Sequence, residues 1–332
     1  MIKIISFYLP QFHEIPENND VWGKGFTEWT NVKKAYPLFF GHNQPRKPLH
    51  ENYYNLLDDG VMDWQVKLAK KAGIYGFCFY HYWFGGRMVL EKPVKILLEN
   101  KQIDFHFCFS WANEPWTKTW HGAGGKKEIS IPQVYGGEEE WKAHYEYFRP
   151  YFMDKRYIKE ENCPILLIYR LRNIPHFNDR IRFWNECAKK DGFDGIFVVS
   201  MNICRENAGK SRWVNGEVDF EPNKSRAEIM QNPFFLQPKA GKSLFWNRYA
   251  VRSASYKKVN EKMLQTPHGK NQFRTVFVDF DDSPRRGIRA VITKGSTPRK
   301  FGKYLRKAIQ KSKKEGNFYL FINAWNEWGE GN

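Results

Sequence analysis

Eight short segments of the chain are nearly continuously apolar: residues 3–8, 74–80, 104–110, 165–169, 195–200, a weaker 217–221, 275–280 and 318–323. Runs such as Gly76-Phe77-Cys78-Phe79-Tyr80 do not alternate between apolar and polar positions. They read as parallel strands buried on both faces. Between them, apolar positions recur with helical spacing over residues 58–71, 89–100, 138–153, 178–191, 257–264 and 299–313. Strands alternating with helices predict an α/β fold.

The polar residues select a barrel over an open sheet. Five of the expected strands run directly into aromatic and polar clusters. These are Tyr8-Leu9-Pro10-Gln11-Phe12-His13, Tyr80-His81-Tyr82-Trp83-Phe84, Ser110-Trp111-Ala112-Asn113-Glu114-Pro115-Trp116, Asp279-Phe280-Asp281-Asp282 and Ala324-Trp325-Asn326-Glu327-Trp328-Gly329-Glu330. In a (β/α)8 barrel such clusters converge on one rim, at the carboxyl ends of the strands. An open doubly wound sheet calls for a Gly-x-Gly-x-x-Gly first turn, and the sequence has none. The expectation is a single (β/α)8 TIM-type barrel over residues 1–332, with a Lys-, Arg- and Asn-rich excursion on the rim around 223–272. No helical sequence follows Gly331. The last barrel helix is therefore expected to be missing, leaving an apolar flank beside strands one and eight.

Composition narrows the class. The chain has 332 residues with a mean hydropathy of −0.67, and no apolar run approaches the ~18 to 20 residues of a spanning helix. Met1 leads almost at once into the first strand, so no leader is read and a cytoplasmic location is expected. The five cysteines (Cys78, Cys108, Cys163, Cys187 and Cys204) are dispersed, with no zinc spacing, and read as reduced and structural. The net charge is +17, yet no nucleic-acid-binding motif accompanies it. The basic residues fall on what read as solvated helix faces. The competing reading is peripheral attraction to an anionic glycan or membrane surface.

The sharpest chemical signal is Trp325-Asn326-Glu327-Trp328-Gly329-Glu330. Carboxylates three apart share one face of a helical turn. Glycosidic cleavage needs one group to protonate the leaving oxygen and another to help form the new bond at the anomeric carbon. Flanking Trp325 and Trp328 can stack on sugar faces and raise a carboxyl pKa by desolvation. Glu327 and Glu330 are the candidate pair. Asn113 and Glu114, between Trp111 and Trp116, form a second candidate group, the Asn suited to a sugar hydroxyl. Glu28, beside Trp29, is suited to bind a hydroxyl or to orient a neighbour. Tyr8, His13, Tyr80, His81 and Asn326 complete the side chains expected to line a substrate cleft. No metal or other cofactor is expected. Asp279, Asp281 and Asp282 read equally well as ion-pair partners of Arg285 and Arg286 or as sugar binders.

Tyr8-Leu9-Pro10-Gln11-Phe12-His13, Trp22-Gly23, Gly25-Phe26-Thr27-Glu28-Trp29-Thr30-Asn31-Val32, Gln44-Pro45-Arg46, Gly76-Phe77-Cys78-Phe79-Tyr80-His81-Tyr82-Trp83-Phe84, Trp111-Ala112-Asn113-Glu114 and Trp325-Asn326-Glu327-Trp328 together resemble the WbsX-type proteins, which are similar to glycoside hydrolase family 99. The resemblance spans the chain and is weakest over residues 224–272. It implies a (β/α)8 barrel and metal-free glycan chemistry on a bacterial surface polysaccharide. Characterised family 99 enzymes are retaining endo-acting enzymes on α-mannosides. By their pattern Glu327 would deprotonate a sugar 2-hydroxyl that attacks the anomeric carbon, and Glu330 would serve as acid and then base. The alternatives are a glycosyltransferase of polysaccharide assembly and a non-catalytic glycan-binding barrel.

Overall fold

A computed structural model describes residues 1–117, 129–202, 211–230 and 251–332. Eight parallel strands close into a barrel: β1 (Lys3–Tyr8), β2 (Gly76–Phe84), β3 (His106–Trp111), β4 (Cys163–Ile168), β5 (Phe197–Asn202), β6 (Gly216–Asp219), β7 (Gln272–Phe277) and β8 (Tyr319–Asn323). Pairing runs in sequence order from β1 to β8, and β8 returns to β1 through Lys3↔Tyr319 and Ile5↔Phe321. All eight expected strands form, each within three residues of its expected start. β2 runs four residues beyond its expected end, because its tip pairs as an antiparallel hairpin with Arg87–Val89.

The helices are α1 (Pro16–Trp22), α2 (Glu28–Lys34), α3 (Val61–Lys71), α4 (Lys92–Glu99), α5 (Glu138–Phe152), α6 (Phe177–Lys190), α7 (Asn223–Met230), α8 (Tyr256–Gln265), α9 (Ser283–Arg286) and α10 (Pro298–Lys314). The six expected from periodicity are α3, α4, α5, α6, α8 and α10. Short α1, α2, α7 and α9 were not anticipated. α1, α2 and α9 are too short to show an apolar period, and α7, though as long as α4, carries too few apolar residues to show one. In α2, Thr27 and Thr30 form a reciprocal capping box. The expected rim excursion divides: α7 and α8 border it, and residues 231–250 lie outside the described part, as does Cys204.

The pleat divides the strands' side chains between two environments. Phe7, Tyr80, Phe220 and Phe321 meet with ring centroids 5.4–5.9 Å from Phe7. Phe220 follows β6, which is not a neighbour of β1, so these rings meet across the barrel interior. Residues of opposite parity face the helices. Tyr8 packs on Phe77 and Phe79, His81 on Tyr147 and Phe148 of α5, and Trp111 on His144 and Trp184. The segment after β8 ends in a single 3-10 turn, Trp328–Glu330.

Candidate active site

Glu327 leaves β8 just past its end, Glu330 sits on the following turn, and Glu28 opens α2 in the loop after β1. Arg285 of α9 joins all three. Its Nε donates to Glu28 Oε1 (2.8 Å), Nη2 to Glu327 Oε2 (2.9 Å) and Nη1 to Glu330 Oε1 (2.7 Å). Access is graded: the Glu28 side chain is fully buried, Glu327 is 9% exposed and Glu330 20%. Arg285 itself is buried.

One guanidinium facing three carboxylates leaves an excess of negative charge in a dry setting. Burial therefore raises the Glu327 pKa to about 8. Arg285 opposes the rise, and the Glu330 and Glu28 charges add to it. Arg285 stays cationic, because the three glutamates outweigh the desolvation that would lower its pKa.

The glycines of the terminal motif answer to this cluster. A Cβ on Gly329 would overlap the Glu28 carboxylate and stand 2.8 Å from Arg285 Nε. Gly331 adopts φ +68°, and a Cβ there would meet the Arg46 guanidinium at 2.9 Å. Arg46 donates to the Gly331 carbonyl (3.0 Å) and to Asp279 (2.7 Å). The Asp281 N–H donates to the Glu330 carbonyl (2.6 Å). Asp281 in turn accepts from Gln44 Nε2 (2.7 Å) and from His42 Nε2 (2.8 Å), the Leu38 N–H occupying His42 Nδ1. Burial alone would raise the Asp281 pKa, but hydrogen bonds from Ser283, Gln44 and His42 outweigh it and hold it below its ordinary value.

The aspartates after β7 are thus absorbed into the frame. Asp282 pairs with Arg286 (3.2 Å), Asp281 with His42 and Gln44, and Asp279 with Arg46 and Thr293. Arg285, expected as a partner for these aspartates, turns to the glutamates. Among the described residues, no group of three or more His, Cys, Asp or Glu side chains is arranged to hold a metal ion.

Tyr80 and Tyr82, of inward parity on β2, face the cluster. Burial first, then the Glu327 charge, raises both phenol pKa values. Tyr82 packs edge-on against half-buried Trp116 (5.3 Å). Half-buried Trp328 is backed by Trp29 (5.3 Å), whose indole N–H donates to the Tyr54 carbonyl (2.8 Å). Tyr80, Tyr82, Trp116 and Trp328 are aromatic side chains with which a sugar could be read.

The remaining side chains expected to line a cleft are placed elsewhere. Tyr8, His81 and Trp111 have outward parity and lie between strands and helices, and Trp325, past the end of β8, packs on outward Phe77. The His81 imidazole is 2.9 Å from that of His144, and burial lowers its pKa to about 3. Trp111 is fully buried, and Trp325 donates to Gln65 of α3 (3.0 Å). His13 is also fully buried, and burial, followed by the Lys92 charge, lowers its pKa to about 4. Trp29 supports Trp328 instead of facing solvent, and Glu28 acts through Arg285. Both amides are spent on backbone: Asn326 on Leu9 (2.7 and 2.8 Å) and Asn113 on Arg170 (2.7 and 2.8 Å). Glu114 pairs with Arg170 (2.7 Å), not with Arg285.

Sequence reasoning passed over Arg285, Tyr82, Arg170 and Arg46. Parity could have found Tyr82, since it shares the face of Tyr80. Nothing local distinguishes Arg285 from Arg286.

The family model described as "Glycosyltransferase WbsX" matches residues 4–332. A protein described as "Uncharacterized protein WxcX" from Xanthomonas campestris pv. campestris strain B100 is 31% identical over 332 residues, covering 99% of this chain and 46% of that one. Its counterpart in another strain of the same pathovar is 32% identical over 337 residues, with the same coverage. The chain thus spans under half the length of the curated relatives it matches. Among solved structures, the GH99 endo-alpha-mannosidase from Bacteroides thetaiotaomicron superposes with a TM-score of 0.54 at 14% identity, covering 99% of this chain and 86% of that one. A structure described as "Glycoside hydrolase-like protein" gives a TM-score of 0.55 at 10% identity, covering 99% and 85%. At such identities the likeness is one of fold.

Proposed function

The chain belongs to the WbsX family, and from that premise we propose that it is a retaining endo-glycoside hydrolase or transglycosylase acting on a bacterial surface polysaccharide. The observation that carries the reading is the Arg285 cluster. Burial, with three carboxylates around one cation, keeps a proton on Glu327 near neutral pH. A carboxyl and a carboxylate on the carboxyl rim of a barrel are what glycosidic cleavage requires.

The reaction requires that proton to be passed on through Glu330, which stands nearer solvent, leaving Glu327 ionised. Glu327, ionised, accepts the proton of the sugar 2-hydroxyl. That oxygen attacks the anomeric carbon and forms a 1,2-anhydro sugar, while Glu330 protonates the departing glycosidic oxygen. Water, or an acceptor hydroxyl, then opens the anhydro ring as Glu330 takes its proton and Glu327 returns one to O2. A raised pKa makes ionised Glu327 a stronger base than an ordinary carboxylate. Tyr82 and Trp328 flank the sugar, and Arg285 keeps both carboxyl groups in register.

The test is incubation with the surface polysaccharide of the organism that carries the gene, followed by mass analysis of the products. Oligosaccharides of defined repeat length are expected from the wild type and none from Glu327→Gln. The family's name favours a second reading, a glycosyltransferase. Calorimetric binding of a nucleotide sugar, with no polysaccharide cleavage, would support it over the hydrolase.

A further inference from the structure

Several helices of this barrel pair a cation with an acid one turn away. Lys67 pairs with Asp63 on α3, Lys95 with Glu99 on α4 and Lys257 with Glu261 on α8. The long helix α10 does not. From Arg299 to Lys314 every exposed position except Gln310 is Lys or Arg, and the helix contains no acidic residue. None of these cations has a carboxylate partner among the described residues. Glu315, just past the helix, is turned inward to Arg274. The eight cations of α10 amount to about half of the chain's +17. Tyr304, Ala308 and Ser312 bury the opposite face against the barrel, so the charged face is fixed outward.

Unrelieved like charge repels along a helix, and sequences that need only solubility intersperse the two signs. The face is ~25 Å long. Phe318, 56% exposed, stands just beyond its end.

We propose that α10 is the docking face for an anionic phospholipid bilayer, with the cations over the headgroups and Phe318 at the interface. This inference stands apart from the reaction assigned above. A bilayer is favoured over a single acidic glycan strand because the cations fill the exposed face of α10 and not one row along it. Docking on α10 would lay the barrel axis along the membrane, leaving the Arg285 rim open sideways to a chain tethered at that surface.

The test is co-sedimentation of the full chain with vesicles of phosphatidylcholine containing 30 mol% phosphatidylglycerol, and with pure phosphatidylcholine. Binding is expected only to the anionic vesicles and should weaken steeply between 50 and 500 mM NaCl. Reversing Lys303, Lys307, Lys311 and Lys314 to Glu should lower the partition coefficient by at least ~100-fold, at a few-fold per residue. Substitution by Gln should give an intermediate loss. Circular dichroism and melting should match the wild type, since all four side chains are exposed. Reversal of Lys70, Lys71, Lys189 and Lys190 should have a several-fold smaller effect. No binding of the wild type to anionic vesicles would overturn the proposal. So would an equal loss from the control reversal, or an α10-dependent binding to hyaluronate or DNA without any to vesicles.

Discussion

Two barrel strands exit through the same dipeptide, Asn113-Glu114 after β3 and Asn326-Glu327 after β8, and the two exits are alike in their first half. Each Asn spends both ends of its amide on one residue at the exit of the next strand. Asn113 does so on Arg170 after β4 and Asn326 on Leu9 after β1, all at 2.7–2.8 Å. Each Glu then meets an arginine. There the likeness ends. Glu114 pairs with Arg170 and is 27% exposed. Glu327 shares Arg285 with two other carboxylates and is 9% exposed. A carboxylate paired with an arginine near the surface is settled. A three-to-one cluster in a dry pocket holds a proton it can give up.

That contrast can be broken or sharpened by experiment. The largest effect expected is on turnover: Glu327→Gln should lower kcat/KM by ~10³- to 10⁴-fold on activated and unactivated glycosides alike. Glu330→Gln should spare activated substrates by at least ~100-fold relative to unactivated ones. Glu114→Gln should cost less than about tenfold on either. If activated substrates rescue Glu114→Gln and not Glu330→Gln, then Glu114 is the acid and the two exits act together.

Next in size is stability. Arg285→Met strands buried Glu28 and Glu327 without a cation, a loss of about 3 to 5 kcal/mol. Arg170→Met frees a part-exposed carboxylate and should cost within about 1 kcal/mol by the same denaturant titration. Comparable losses would show that the clusters differ in appearance only.

The two Asn residues should differ by less than the two arginines. Asn326→Ala removes the side-chain partner of the Leu9 N–H and carbonyl, and Asn113→Ala that of the Arg170 N–H, whose carbonyl keeps the Asn173 N–H, each at a cost of about 1 to 3 kcal/mol.

The smallest effect is a pH dependence. The folded-state pKa of Glu327, about 8, lies above its unfolded value of 4.5. The folded chain thus binds the extra proton between those values, and stability from this group is full below about pH 4.5 and lost as pH rises through about 8. Gln does not titrate, so Glu327→Gln should gain in melting temperature on the wild type from pH 5 to pH 9. Glu330→Gln removes a charge that raises Glu327, and should move the ionisation seen in the wild-type profile to lower pH.

The strands of the barrel were legible because burial on both faces writes a continuous apolar run, and six of the helices because 3.6-residue spacing survives over two or more turns. The terminal motif was legible because two carboxylates and two tryptophans at a strand end have few other uses. Which rim residues face inward was not. Tyr80 and His81 look equally suited to a sugar, but the pleat turns one into the barrel and the other against α5. The same parity takes Tyr8 and Trp111 out of the site and keeps Tyr82 near it, while Trp325, beyond the end of β8, turns to Gln65 of α3. A strand's phase is set by which face its neighbours bury, and that is known only once the sheet closes.

Sequence alone determined the chain's architecture and the position of Glu327 and Glu330 on its carboxyl rim, because periodicity and residue type are local properties. Tertiary structure decided their chemistry. It brought Glu28 from the loop after β1 and Arg285 from the segment after β7 to the same point, 257 residues apart in the chain. Desolvation and charge act through space, so the carboxyl that keeps its proton is chosen by neighbours that the sequence lists far away.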